Sequence, residues 1–301
     1  MTQNFNAIHI PVLLQEVLEY LHPGSRGIYV DCNLGMGGHA EKILEMSEPG
    51  GRVIGFDWDA KALAQARQRL AKYGERVCFC HRNFAEIKDA LNELRIRTVD
   101  GILLDLGLSS LQLEDDTRGF SFKGSQPLDM RMDSRVERTA ADLVNTLSQQ
   151  ELADIFYYYG EERQSRPIAA NIVKARRKEK IATTDQLVEL VSTAVPKRFH
   201  PHRIHVATRV FQALRIAVNG ELDNLLTVLA DGVQFLTPGS RFCVITFHSL
   251  EDRIVKRAFR ENDALEVLTA KPVTPKAGEC EANPRARSAK MRVARKCEVL
   301  Q

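Results

Sequence analysis

The run Val99-Asp-Gly-Ile-Leu-Leu-Asp105 constrains this chain more than any other. It is nearly all apolar before a final acid, as a strand covered on both faces of a parallel sheet should be. The next run of that quality is Arg241-Phe-Cys-Val-Ile-Thr-Phe247, so residues 106–240 intervene. An ordinary crossover between parallel strands needs roughly a dozen to a few tens of residues. A further body is therefore inserted between the fourth and fifth strands.

Upstream, short β-rich runs alternate with amphipathic stretches. Ile28–Asp31 reads as the first strand, Gly35-Met-Gly-Gly38 as a tight turn, and about His39 to Met46 as a helix. Arg52–Asp57 is a second strand, Lys61 to Tyr73 a helix with Leu63, Ala66 and Leu70 on one face, and Val77–Cys80 a third strand. This alternation predicts an α/β fold with a doubly wound parallel sheet. After a Gly-, Ser- and Asp-rich loop from Gly107 to Ser134, the insertion reads as helical. Ser148-x-x-Glu151 and Thr183-x-x-Gln186 have capping-box spacing, and Pro167 stands near a third helix start. Arg209 to Leu229 is expected as one long helix returning the chain. A three-proline loop from Lys271 to Pro284 precedes a last strand, Met291–Arg295. The expected division is residues 1–110 and 216–301 for the sheet domain and 111–215 for the insertion.

With 27% charged and 44% hydrophobic residues in 301, neither wholesale disorder nor a membrane-spanning architecture has compositional support. Six cysteines without a Cys-x-x-Cys pair, and no secretory leader before Ile10, predict a reducing, cytoplasmic setting. Cys78 and Cys80 alternate on the third strand and read as small hydrophobes. His200-x-His202-x-x-His205 lacks carboxylate or cysteine companions, so no metal is expected.

Gly35 and Gly37 let the backbone approach a ligand, and the helix beyond offers free N–H groups. Asp57, twenty residues after Gly37, stands where a ribose diol is held. With Ala40 the turn also satisfies G-x-G-x-x-A, so the glycines alone leave a nicotinamide oxidoreductase open. Asp31, four residues before Gly35, favours S-adenosylmethionine: it suits an amino-acid ammonium and opposes a pyrophosphate. Phe84, after the third strand, is placed to pack on an adenine ring or to serve the core. Asp105 closes the apolar fourth strand at a desolvation cost that suggests a role at the adenine amine or the reacting centre.

Gly37-Gly-His39, Leu104-Asp-Leu-Gly-Leu-Ser-Ser110, Arg118-Gly-Phe-Ser-Phe122, Pro127-Leu-Asp-Met-Arg-Met-Asp133, Tyr159-Gly-Glu-Glu-Arg163, Ala207-Thr-Arg-Val-Phe-Gln-Ala-Leu-Arg-Ile216, Phe247-His-Ser-Leu-Glu-Asp-Arg253 and Asn283-Pro-Arg-Ala-Arg-Ser288 closely resemble the RsmH/MraW family. The resemblance runs in order from about His9 to Arg295. It implies a class I (Rossmann-like) methyltransferase sheet with the helical domain inserted between strands 4 and 5. It also implies S-adenosylmethionine-dependent methylation of the N4 amine of a cytidine in 16S rRNA, in the decoding region of the small ribosomal subunit. The family's cofactor contacts fall on Gly37, Gly38, His39, Asp57, Phe84, Asp105 and Gln112, of which His39 and Gln112 rest on resemblance alone. This chain departs from the pattern at Cys32-Asn33, where Gly-Thr is usual, and at Val206, where a proline is usual. Asn33 is expected to tolerate left-handed torsions in the turn.

Such a reaction needs a flipped base and an acceptor for the amine hydrogen, for which Asp105 or a carbonyl in Leu106 to Ser109 is expected. Phe120, Phe122, Asp129, Asp133 and His248 are candidate substrate-pocket residues. Twelve basic residues from Arg163 to Arg215, Arg176 and Arg177 among them, stand against Glu179, Asp185 and Glu189, a candidate phosphate-binding surface. Six more lie between Arg285 and Lys296. The alternative is a catalytically weakened paralogue that binds RNA as a ribosome-assembly factor.

Overall fold

The computed structural model describes residues 11–107, 112–113, 115–122, 124–201 and 204–298; Ser109, His202 and Arg203 lie outside them. In chain order the elements begin α1(Leu14–Leu21), β1(Ile28–Asp31), α2(Gly38–Met46), β2(Arg52–Phe56), α3(Ala60–Leu70), β3(Val77–Cys80), α4(Ile87–Glu93) and β4(Val99–Asp105). There follow α5(Ala140–Thr146), α6(Gln149–Tyr158), α7(Ser165–Arg176), α8(Thr184–Ala194), α9(Thr208–Asn219) and α10(Glu221–Phe235). The chain closes with β5(Leu236–Thr246), α11(Ser249–Glu261), β6(Leu265–Val267), α12(Ala277–Ala282) and β7(Lys290–Lys296). Two compact units form: residues 1–109 with 223–301, and residues 110–222.

The first unit is built on a seven-stranded sheet of order β3-β2-β1-β4-β5-β7-β6. The pairs from β3 to β5 are parallel, and β7 runs antiparallel to both β5 and β6. Alternation along each strand explains the two cores. Ile102 and Leu104 of β4 face one cluster with Phe56, Phe242, Leu91 of α4, Val228 of α10 and Phe259 of α11. Leu103 faces the other, with Val17 of α1, Ile43 of α2 and Leu70 of α3. Each fully buried Phe or Leu contributes roughly 1.5–3 kcal/mol over its exposed state. Because the first four strands and β5 are parallel, their carboxyl ends share one edge, where ligands gather in open α/β sheets.

The second unit is helical. Capping boxes form at Thr139–Asp142, Ser148–Glu151 and Thr183–Gln186, each satisfying backbone N–H groups at a helix start. Leu152 and Phe156 of α6, Ile168 and Ile172 of α7, and Leu187 and Val191 of α8 are buried, and α7 packs between α6 and α8. The single long helix expected over Arg209 to Leu229 is instead two, because Gly220 adopts φ 61° and closes α9 with its N–H on the Ile216 carbonyl. The expected loop from Lys271 to Pro284 carries the short α12. Among the described residues no helix is long and apolar enough to cross a membrane.

Candidate active site

Three carboxylates stand at the carboxyl edge of the sheet. Asp31 ends β1 and is 1% exposed; Asp57 follows β2 and is 4% exposed. Asp105 ends β4, where its backbone pairs with Ile245 of β5. Burial pushes Asp31 up to about 7, with the charges of Asp105 and Asp57 adding to the rise. Burial likewise pushes Asp57 up to about 7, although amides of Asp59 and Gly35 oppose it. Asp105 is raised to about 7 by burial first, with Glu251 adding. Asp105 Oδ1 is buried and accepts no hydrogen bond from any described residue.

The loop after β1 is shaped by these groups. Gly35 N donates to Asp57 Oδ2 at 2.8 Å, and Asp59 N donates to Oδ1 at 2.8 Å. Gly35 and Gly37 have φ of 54° and 78°, a region that costs glycine nothing. Gly37 is the N-cap of α2 and supplies no side-chain acceptor, so the first N–H groups of that helix keep their bonding capacity. Gly38 opens α2, and a Cβ there would stand 2.6 Å from Pro11 Cγ. His39 is 6% exposed. Its Nε2 donates to the Val12 carbonyl at 3.0 Å, and its Nδ1 lies 3.8 Å from Asp105 Oδ2. Asn33, expected to tolerate left-handed torsions, is not among the positive-φ residues, so the turn does not call on that tolerance. Its amide instead donates to the carbonyls of Asp105 at 2.5 Å and Gly107 at 3.2 Å.

Phe84 belongs to the core below the sheet and is 6% exposed. Its ring centroid lies 5.9 Å from that of Trp58 at 48°, so the two form one apolar wall beside Asp57. Sequence reasoning passed over Trp58, although its place directly after Asp57 was a local signal.

At the β4–β5 corner, Glu251 was also passed over. It is 2% exposed, and its Oε2 accepts from Phe247 N at 2.8 Å and His248 N at 3.2 Å. His248 caps α11 by accepting from Glu251 N at 3.4 Å, and its Nε2 lies 3.0 Å from Glu251 Oε1 without hydrogen-bond alignment. The capping box S/T-x-x-E is the signal Glu251 carries, disguised because a histidine stands at the cap. A Cβ on Gly107 would stand 3.0 Å from the Phe247 ring, so glycine there permits the close approach.

The remaining candidates lie in the second unit. Gln112 is buried at 6% exposure. Phe120 is buried beneath the Arg118 guanidinium, 5.8 Å from its centroid. Phe122 stacks on His205 at 4.8 Å and meets Phe211 edge-on at 5.6 Å. Asp129 binds Arg131 through both oxygens at 2.9 and 2.8 Å. Its burial raises the carboxyl, but the Arg131 hydrogen bonds and charge hold it below the usual range. Asp133 binds Arg135 in the same way at 2.9 and 2.7 Å. Both carboxylates thus have a partner inside their own loop. Arg176 is half-buried and donates to the Val144 carbonyl at 2.7 Å, whereas Arg177 is exposed. Of the histidine triplet, His200 Nε2 contacts the Val195 carbonyl at 2.9 Å and His205 Nδ1 accepts from Ala207 N at 3.2 Å.

Two buried carboxylates and the partly buried Asp105, all held near 7, make an edge short of positive charge. A pyrophosphate there would meet like charge, while S-adenosylmethionine brings an ammonium and a sulfonium. The orphaned Asp105 Oδ1 and the start of α2, capped by a glycine with no side-chain acceptor, match its cationic and carboxylate ends, so the residues present fit this cofactor. The sheet order with one antiparallel strand, and this edge chemistry, define a class I methyltransferase that uses S-adenosylmethionine. Residues 6–297 match the MraW methylase family, and the chain belongs to it. It is 58% identical over 289 residues to "Ribosomal RNA small subunit methyltransferase H" of Desulfotalea psychrophila, covering 96% of this chain and 98% of the relative. It is 51% identical over 306 aligned residues to the protein so named in Geotalea uraniireducens, covering 96% and 98%. The identity to that of a Cyanothece species is 52% over 294 residues, covering 98% and 96%.

Proposed function

We propose that this protein transfers the methyl group of S-adenosylmethionine to the exocyclic N4 of one cytidine in 16S rRNA, in the decoding region of the small ribosomal subunit, in the cytoplasm. Family membership supports the reaction class. The single observation that carries the chemistry is Asp105, whose buried Oδ1 awaits a donor at the end of β4.

Bound S-adenosylmethionine supplies an electrophilic methyl on a sulfonium. Asp31 is assigned to the ammonium, Asp57 to the ribose diol, and Gly37, Gly38 and the start of α2 to the carboxylate. Phe84 with Trp58 forms the apolar wall assigned to the adenine, and His39 and Gln112 complete the cofactor set. The cytidine amine is a poor nucleophile, since its lone pair is delocalised into the ring. Asp105 accepts a hydrogen bond from that amine, restores electron density to nitrogen and takes up the proton as N4 becomes tetrahedral. A carboxylate raised to about 7 by burial is a stronger proton acceptor than an ordinary one and suits this task at neutral pH. Phe120, Phe122, Asp129, Asp133 and His248 are assigned to the flipped nucleotide and the exposed Arg177 to a phosphate, while Arg176, expected there too, is taken up by the Val144 carbonyl. Residues 1–110 and 216–301 then serve mainly the cofactor and residues 111–215 mainly the RNA, Gln112 and His248 being the exceptions.

The test is Asp105→Asn, which keeps a polar group of the same size and removes the proton acceptor. kcat for methyl transfer should fall by roughly 10² or more, with the dissociation constant for S-adenosylmethionine within a few-fold of wild type. An unchanged kcat would remove Asp105 from the chemistry.

A further inference from the structure

The carboxyl end of α6 and the start of α7 enclose an open cavity of about 420 Å³ within the helical unit. Asp154, Tyr157, Tyr158, Arg163, Ser165 and Arg166 line it. Tyr157 and Tyr158 are 54% and 64% exposed, large apolar areas to leave in water. Their rings meet edge-to-face at 5.2 Å and 85°, so each fixes the other while a ring face stays open. Arg163 and Arg166 are both exposed, and neither has a hydrogen-bond or ion-pair partner among the described residues. Arg166, Lys174 and Arg177 recur at helical spacing along α7 and its cap. They form one exposed basic edge about 16 Å long, from 1.5 Å per residue.

We propose that the Tyr157–Tyr158 pair is a stacking platform for an unpaired RNA nucleotide, with Arg163 and Arg166 on the flanking phosphates. This rests on the rRNA reading above and adds a binding site to it. An aromatic face beside unpaired guanidinium groups is what single-stranded RNA recognition uses, since every base has a π face and every linkage a charge. Asp154 gives the cavity an acceptor for a base amino group; one oxygen already takes a hydrogen bond from Gln150 Nε2 at 2.8 Å. The basic edge of α7 carries the strand away from the platform. Residues 166–177 contain no acid to offset that line of like charge, and a polynucleotide, with a charge at every linkage, matches it along its length.

The probe is a fluorescein-labelled single-stranded RNA of twelve mixed nucleotides, with a duplex of the same sequence as control. Tyr157→Ala with Tyr158→Ala should weaken single-strand binding about tenfold or more and leave duplex binding and the salt slope unchanged. Tyr158→Phe in the otherwise native chain should bind as wild type. Arg163→Ala with Arg166→Ala should flatten the log-log salt slope by about 0.7 for each phosphate left unneutralised. S-adenosylmethionine affinity should be the same in all. A double-alanine variant that binds the single strand with wild-type affinity overturns the proposal. So does one whose only change is in sedimentation, which would make the patch an interface between copies. Methyl transfer to 16S rRNA by the wild-type protein is scored separately, so loss of that activity refutes the rRNA reading while single-strand affinity judges the platform.

Discussion

The side-chain amide of Asn33 donates to the main-chain carbonyl of Asp105 at 2.5 Å and to that of Gly107 at 3.2 Å, tying the loop after β1 to the end of β4. One residue therefore couples the glycine turn to the carboxylate assigned to the amine. Asn33→Ala should strand two part-buried carbonyls and lower unfolding stability by roughly 1–3 kcal/mol. S-adenosylmethionine affinity should fall several-fold with it. The usual Gly-Thr pair at 32–33 should also cost stability here, since Cys32 is fully buried and threonine has one hydroxyl for two carbonyls. Urea denaturation and calorimetry check both; unaltered values would make the bridge incidental.

The pH dependence follows from Asp31, Asp57 and Asp105, each held at about 7 without ligand. Their folded values lie above the ordinary carboxyl range, so the free protein binds protons more tightly than its unfolded chain. That stability is complete below about pH 4 and is lost as pH rises through about 7. A cationic ligand favours the ionised forms. S-adenosylmethionine binding should thus release protons near neutrality and tighten as pH rises from 6 to 8, with a larger stabilising thermal shift at pH 8 than at pH 6. Calorimetry in buffers of different ionisation enthalpy reads the proton count. Proton uptake, or affinity flat across that range, would contradict the assignment.

Asp57→Ala removes both the carboxylate proposed for the ribose diol and the partner of the Gly35 and Asp59 amides. Charge-assisted hydrogen bonds contribute roughly 1.5–3 kcal/mol, so the dissociation constant for S-adenosylmethionine should rise at least tenfold. Wild-type affinity by calorimetry would remove Asp57 from the site.

Arg176 and Arg177 should behave differently although they are neighbours. Arg176→Ala frees the Val144 carbonyl and should show mainly as lost stability. Arg177→Ala with Lys178→Ala removes exposed charges, so RNA binding should weaken for any sequence and the salt slope should flatten by about 0.7 for each phosphate no longer neutralised. A salt titration of RNA affinity separates the two; identical behaviour would refute the distinction.

What the sequence disclosed was local. β1, β2 and β4 were legible because each couples an apolar run to a terminal acid, and the turn because Gly35 and Gly37 are close together. The capping boxes at Ser148 and Thr183 were legible for the same reason. The Asn33–Asp105 bridge spans 72 positions, and no periodicity announces it. Glu251 was hidden because a histidine fills the cap, and Trp58 because it reads as core. The helix break at Gly220 was missed since the apolar pattern continues through it, and β6 is only three residues long. The pairings of Asp129 and Asp133 were legible in principle, each having an arginine two residues on.

The most direct measurement is nucleoside mass spectrometry of 16S rRNA, taken from small subunits lacking this modification and incubated with the protein and methyl-deuterated S-adenosylmethionine. The expected result is label on the exocyclic nitrogen of a single cytidine, with little or none when Asp105→Asn replaces the wild-type protein. Label on a ring carbon, on a ribose hydroxyl or on another base, or full labelling by Asp105→Asn, would contradict an amine acceptor at the end of β4.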